Sequence, residues 1–350
     1  MRTVGCPSGR VSYPMELHAT GLNAWGQLHF GKNDRSNDEP EDLSTFTRVL
    51  TVDDGIEAVL PFPSYTLVHT KTSGILSTGL IPQDQLPLTT LPHPSHSHIA
   101  QASNGLSITN DIHPPLANLS AFLPQPPWIP LSTLLPPTIT GTITQLVSYT
   151  AGFAALTTSP SGDTQVYTWG DERYAACLGR DLPSSSSPHA QNDTNTVETD
   201  AHTLVDATTP GIVPDLSDLP TGPITKLAAG GYVLAALTAG RDLYVWGHPG
   251  RAAAAGLGGL GVSDEIMPVV IEDFDIDDVA VGEAHVVVLT TSGEVFVIGS
   301  NSNGQLGLGG VECAEEWTRV AVEKGEGYVV GVAAGPKNSF LLVSKQSGRQ

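Results

Sequence analysis

One pattern recurs along the chain: a short apolar run, a glycine turn, and a second short apolar run. Val286–Thr290 is β-branched and aliphatic, which predicts a strand buried on both faces. Ser292-Gly293 predicts a turn, and Glu294–Ile298 resumes as an alternating strand. Runs this short, with glycine every few residues, argue against helix. Four segments share the pattern: Ile56–Gly79, Ile143–Gly170, Ile224–Gly247 and Ile276–Gly299. The step from opening isoleucine to threonine is 14 residues in each (56 to 70, 143 to 157, 224 to 238, 276 to 290). From that threonine to the closing glycine it is 9 residues in three of them (70 to 79, 238 to 247, 290 to 299) and 13 in the other (157 to 170). There, Pro160–Asp163 lengthens a hairpin turn, where insertions are tolerated.

The two ends of the sequence complement each other. Val329–Val343 matches the first half of a repeat, and Leu17–Leu28 aligns with Val295–Leu306, the second half. Gly21, Asn23, Gly26, Gln27 and Leu28 match Gly299, Asn301, Gly304, Gln305 and Leu306. A ring closed by the N- and C-terminal strands explains this division, because an open sheet would leave two bare edges. The expected fold is therefore all-β: a β-propeller with five clear blades. The gap from Ile56 to Ile143 leaves six or seven open, with a degenerate repeat near Ile99–Thr109.

The phrase Gly299-Ser300-Asn301-Ser302-Asn303-Gly304-Gln305-Leu306-Gly307, preceded by Ala280–His285, resembles the regulator-of-chromosome-condensation repeat. The layout is similar to that of the fungal alpha-tubulin suppressor proteins and of small single-domain members. The resemblance runs from about Leu17 to Val343, outside two insertions. It implies a propeller, and, from the founding member, guanine-nucleotide exchange on a small GTPase. Full members usually have seven blades, and the place of His285 is held here by Val233 and Gly152.

Residues 1–14 are expected to be a disordered extension and 15–350 a single propeller domain. Its insertions fall at about 80–142 and 180–223. The first is proline-rich, centred on Leu123–Pro137, and predicts polyproline II. It suits either a proline-binding module or, as its apolar content favours, packing of Trp128 and Ile129 on a propeller face. The second is polar and low in complexity at Pro183–Thr209, and is expected to be partly disordered.

Charge narrows the partners. The net charge is −20, from 36 acidic and 16 basic residues, which opposes direct nucleic-acid binding. The basic residues Lys71, Arg173, Lys226, Arg241, Arg251, Arg319 and Lys324 form no run. The acidic run Glu272–Asp278 suits a basic protein partner, although negative charge also simply maintains solubility. The three cysteines, Cys6, Cys177 and Cys313, lie far apart, which favours a reducing compartment. With no apolar leader core and no span long enough for a bilayer, the expected location is cytoplasmic and/or nuclear, with no membrane partner. The Asn118-Leu119-Ser120 and Asn192-Asp193-Thr194 matches to the glycosylation pattern are then coincidental.

No catalytic, cofactor-binding or metal-ligating residue is expected. His93, His96 and His98 have metal-like spacing but sit in a loop without a carboxylate or cysteine nearby. Gly256–Gly261 follows a strand as in a dinucleotide fingerprint, yet Pro268 blocks the required helix and the same glycines recur at Leu306–Gly310. His285 is expected to pack and hydrogen-bond, with Glu283 pointing away from it on a strand, and His18 likewise. The leading expectation is a monomeric protein-binding scaffold or adaptor that uses no cofactor. The alternative is an exchange factor, for which the longer Ser159–Asp163 hairpin is the sole candidate wedge.

Overall fold

The closing glycine of each repeat is fixed by a close backbone approach. Gly21, Gly79, Gly247 and Gly299 have φ of +109°, +93°, +151° and +115°. A Cβ on them would stand 2.3, 2.4, 2.1 and 2.4 Å from the carbonyl oxygens of Lys337, Ser64, Tyr232 and Ala284. In each case that carbonyl belongs to the residue just before the middle strand of the same sheet, so only glycine lets the third strand leave the sheet there.

The computed structural model describes residues 14–31, 40–71, 73–81, 141–183, 204–323 and 327–345, together with the backbone of three short strands in between. The chain opens with β1 (Met15–Gly21) and β2 (Leu43–Val52). Blade 1 follows: β3 (Ile56–Pro61), β4 (Tyr65–Thr70) and β5 (Gly74–Gly79). The short strands β6 (Ile99–Gln101), β7 (Ser107–Thr109) and β8 (Trp128–Pro130) make a small sheet. Blade 2 is β9 (Thr142–Tyr149), β10 (Gly152–Thr158), β11 (Thr164–Gly170) and β12 (Gly211–Ile212). Blade 3 is β13 (Ile224–Gly230), β14 (Val233–Thr238), β15 (Leu243–Gly247) and β16 (Met267–Val269). Blade 4 is β17 (Ile276–Val281), β18 (His285–Thr290), β19 (Val295–Ser300) and β20 (Cys313–Arg319). The closing blade joins β21 (Tyr328–Ala334) and β22 (Asn338–Ser344) to β1 and β2, in the order β2-β1-β22-β21.

This is a propeller of five blades plus one small sheet. The first strands β9, β13, β17, β21 and β3 line the centre, each beside the next. Every middle strand feeds two interfaces. On β18, Val286 and Val288 pack toward blade 3, while Val287 and Leu289 pack toward the closing blade. On β14, Val233, Ala235 and Leu237 face blade 4, while Leu234 and Ala236 face blade 2. Strand alternation thus buries all six residues of each of these strands, which is why they read as continuous apolar runs.

The small sheet occupies the region of the expected degenerate repeat. β6 and β7 pair antiparallel, but β7 and β8 pair parallel, unlike every other sheet here. Trp128–Pro130, expected in polyproline II, is therefore a strand; the rest of Leu123–Pro137 lies outside the described residues. The second insertion also contributes structure. β12 adds the outer strand of blade 2 by pairing Gly211 with Thr168 and Ile212 with Tyr167. The Arg180 guanidinium donates to the carbonyls of Val205, Asp206 and Thr209 at 2.9, 3.0 and 3.0 Å, tying 204–209 to the blade. Residues 1–13, 110–127 and 184–203, which include both glycosylation matches, lie outside the described residues.

Closure is the antiparallel pairing of β1 with β22, running without a bulge from Met15↔Ser344 to Gly21↔Asn338. A buried carboxylate reinforces it: Glu16 lies 2.9 Å from Arg48, 3.1 Å from Lys345 and 3.3 Å from His18. Burial pushes the Glu16 carboxyl up, but its hydrogen bonds to Arg48, Lys345 and His18 outweigh this and hold it below its ordinary value.

Deleting residues 329–350 removes two strands of the closing blade and bares β1. The shortened protein is expected to lose the cooperative thermal transition followed by circular dichroism; an unchanged melting temperature would refute closure. Glu16→Gln is expected to destabilise by roughly 1–2 kcal/mol at pH 7, discounted because Arg48 and Lys345 reach solvent. A depressed carboxyl stabilises above its unfolded pKa and loses this as pH falls through its folded value. The difference between variant and parent in urea melts should therefore shrink below about pH 4.

Candidate protein-contact face

The turns between first and second strands, and the segments that follow third strands, lie on the same face of the ring, because the strands alternate in direction. In two blades the segment after the third strand is Asn-x-x-Gly-Gln-Leu. The Leu28 N–H donates to Asn23 Oδ1 at 2.9 Å, and the Leu306 N–H to Asn301 Oδ1 at 2.7 Å. The Trp25 and Asn303 N–H groups each donate to the side chain of the glutamine two residues on, at 2.9 Å. The amide oxygens of the motif are thus used inside the turn, while the Asn23 and Gln27 amide nitrogens donate to the carbonyls of Glu41 and Pro63. These bonds build a platform and leave the residue four after the closing glycine to vary.

That position holds Trp25, Tyr174, Arg251 and Asn303 in the closing blade and blades 2, 3 and 4. In blades 2 and 3 its backbone is also pinned: the Tyr174 N–H donates to the Asp171 carbonyl at 3.0 Å, and the Arg251 N–H to the His248 carbonyl at 3.1 Å. Trp25 is 54% exposed, which no packing requirement explains. Tryptophan, tyrosine and arginine are the residue types that dominate protein-binding energy.

Blades 2 and 3 bring four of the face's side chains together. The rings of Tyr174 and Tyr232 are 4.8 Å apart, and His248 stands edge-on to them at 5.9 and 6.5 Å. The Arg251 guanidinium lies 5.9 Å from the Tyr174 ring centre and 5.5 Å from that of Tyr232. A side-chain hydrogen bond to Tyr174, and then burial, pushes the Tyr232 phenol above its ordinary value. Arg173 also covers Tyr174, at 5.8 Å, but its guanidinium is engaged by Asp171, whose carboxyl it holds below the usual range. Tyr232 precedes a middle strand, and in the other blades its place is taken by Ser64, Ala151, Ala284 and Lys337. An aromatic residue there is not something the repeat needs. Comparing the repeats position by position would have found this cluster; searching for motifs passes over it, because motif positions are the ones that build the turns.

The residues singled out from sequence fall into place separately. His285 is fully buried at the joint of blade 4 and the closing blade, with Nε2 2.8 Å from Ser339 Oγ. Burial pushes its imidazole down to about 4, so it is neutral at physiological pH. Glu283 lies in the turn before β18 and is exposed, not on a strand as expected. His18 is buried beside Glu16. Gly256–Gly261 sits in a turn that follows a short helix, α1 (Pro249–Ala254), and no helix follows it. His93, His96 and His98 lie outside the described residues, among which no three His, Cys, Asp or Glu side chains converge on a metal site.

The acidic run divides in two. Glu272, Asp273 and Asp275 are exposed on the opposite face. Asp277 and Asp278 belong to β17 and pair with Arg241 and Lys226. The Ser159–Asp163 hairpin is tied to itself: the Ser159 N–H donates to the Asp163 carbonyl at 2.8 Å and the Gly162 N–H to that of Ser159 at 3.0 Å. Among the described residues no helix is long and apolar enough to cross a membrane.

Known proteins agree with this architecture. Residues 276–305 and 292–342 match models of the Regulator of chromosome condensation (RCC1) repeat. The chain is 26% identical over 187 residues to Probable E3 ubiquitin-protein ligase HERC6 of Homo sapiens, covering 52% of this chain and 16% of that one. It is 30% identical over 131 residues to Ras guanine nucleotide exchange factor C of Dictyostelium discoideum, covering 35% and 8%. The chain thus spans a small part of the length of these relatives. Human WBSCR16 superposes with a TM-score of 0.56 at 16% identity, covering 96% of this chain and 100% of that one. Prp20p from Saccharomyces cerevisiae gives 0.54 at 16% identity, covering 96% and 92%. Identity this low speaks to fold alone. The ring of sheets is a propeller of the regulator of chromosome condensation type, and residues 276–342 carry its repeats.

Proposed function

We propose that this chain is a protein-binding scaffold whose contact surface is the face bearing Trp25, Tyr174, Tyr232 and Arg251. The observation that carries the reading is the variable position: the same pinned turn site presents tryptophan, tyrosine and arginine in three blades, where the fold asks for none of them. Residues 15–350 act as one domain in this reading, and no catalytic, cofactor-binding or metal-binding residue is assigned. The partner is a protein; the −20 charge favours a basic or neutral one over nucleic acid. Prp20p is described with binding properties to Gsp1p and histones, so a propeller of this shape suits protein partners. A nuclear or cytoplasmic setting belongs to this reading.

Nucleotide exchange is the second reading, favoured by the likeness to Ras guanine nucleotide exchange factor C. Against it, the longest strand-2-to-strand-3 hairpin among the described residues closes on itself, and the Ser161 hydroxyl donates to the Asp163 carboxylate.

At micromolar concentration the protein is expected to leave the release of labelled GDP unchanged across a panel of small GTPases. Many-fold acceleration for any of them, abolished by Asp273→Lys with Asp275→Lys, would replace the scaffold reading with exchange. Quantitative capture followed by mass spectrometry separates the faces. Trp25→Ala should deplete captured partners several-fold, while the Asp273/Asp275 reversal should leave them; the opposite result would move the contact surface to the acidic face.

A further inference from the structure

Arg251 stands apart in its charge balance. The chain has 36 acidic and 16 basic residues, and the other described arginines are engaged. Arg48 pairs with Glu16, Arg173 with Asp171, Arg241 with Asp277 and Arg319 with Glu294, while Arg180 donates to backbone carbonyls. Among the described residues the Arg251 guanidinium meets no carboxylate and donates no hydrogen bond; its contacts are the faces of Tyr174 and Tyr232. The two rings lie within cation–π range of the guanidinium, and no hydrogen bond among the described residues uses its N–H groups, which form the fork that matches a carboxylate.

We propose that Tyr174, Tyr232, His248 and Arg251 form an anchor pocket for an aspartate or glutamate side chain of a partner protein. This rests on the scaffold reading and names the chemistry of its central contact. The Arg251 edge takes the carboxylate, and the tyrosine rings cover the methylene stem. The His248 Nδ1 accepts the Arg251 N–H at 3.3 Å and so holds the start of α1 in place. A phosphate dianion fits less well, since phosphate readers gather several arginines and here Arg173 is already neutralised by Asp171. The surrounding −20 charge repels an acidic partner beyond about one Debye length, ~8 Å. The partner segment therefore carries its carboxylate within an otherwise neutral or basic surface.

The test uses the full chain as bait for a displayed library of random 12-residue peptides, with affinities of the selected peptides then measured by calorimetry. Selected sequences should share one acidic position. Replacing that acid by its amide, or Arg251→Gln in the protein, should each weaken binding at least tenfold, and the two together should cost little more than either alone. Tyr232→Leu should weaken binding, and Arg173→Gln should change it less than twofold. Arg251 is exposed, so an unchanged melting temperature will show that Arg251→Gln is folded. Selected peptides without a shared acid, equal binding to Arg251→Gln, or no selected peptide would each overturn the pocket. Peptides that ignore Arg251→Gln but are lost on Trp25→Ala would sink the pocket and leave the scaffold reading standing. Accelerated GDP release would sink the scaffold reading itself.

Discussion

Everything in this ring depends on the seven residue pairs between β22 and β1. Neighbouring blades meet mainly through side chains, with single backbone bonds between their turns, and such contacts would leave two bare strand edges at the joint. Backbone pairing across the joint covers those edges, and separating it would expose a ladder of N–H and C=O groups on both. Glu16 adds an electrostatic clasp from inside the same strand, reaching Arg48 on β2 and Lys345 just past β22. The joint pairs segments more than 300 residues apart, so it ties the first and last strands of the ring into one blade and links the blades between them into one closed unit.

Once closed, the ring is stitched at its centre and on its contact face. At the centre, Gln145 acts as a piece of backbone: its Oε1 accepts the Leu227 N–H and its Nε2 donates to the Thr225 carbonyl, both at 2.7 Å. The same repeat position gives Lys226 and Asp278, which pair with each other, and Asp278 in turn accepts the Val332 N–H at 2.9 Å. On the contact face, the Thr150 N–H donates to the Gly231 carbonyl and the Glu283 N–H to that of Pro336. These bonds hold neighbouring turns in fixed relation, which lets side chains from different blades make one surface, as Tyr174 and Arg251 do.

The architecture was legible in the sequence because its causes are local and repeated. The closing glycines are demanded by the carbonyls of Lys337, Ser64, Tyr232 and Ala284, so their spacing marks the blades. The half-repeats at either end reveal the joint for the same reason. What escaped was less periodic. β12 has only two residues, inside a polar stretch, and its pairing is set by the Arg180 bonds to carbonyls 25 to 29 residues on. Trp128–Pro130 becomes a strand through parallel pairing to Ser107–Thr109, a partner that no local pattern names. Asp277 and Asp278 looked like part of one free acidic run, but they belong to β17 and are paired by Arg241 and Lys226, which sit one blade earlier.

The contact face was hidden for a different reason. A repeat search rewards positions that stay the same, and those are the ones the fold needs: the glycines, the apolar strand residues, and the Asn and Gln side chains that close the turns on themselves. Binding surfaces use the complement of that set. A turn whose backbone is pinned by bonds within itself can carry different residues at its outward position without loss of structure. Trp25, Tyr174, Arg251 and Asn303 show how freely that position varies. Rigid turns with a free outward residue are a physical basis for recognition, since the platform is ordered before any partner arrives and little freedom is lost on contact. The same regularity that makes the fold easy to read therefore places its specificity in the residues that break the pattern.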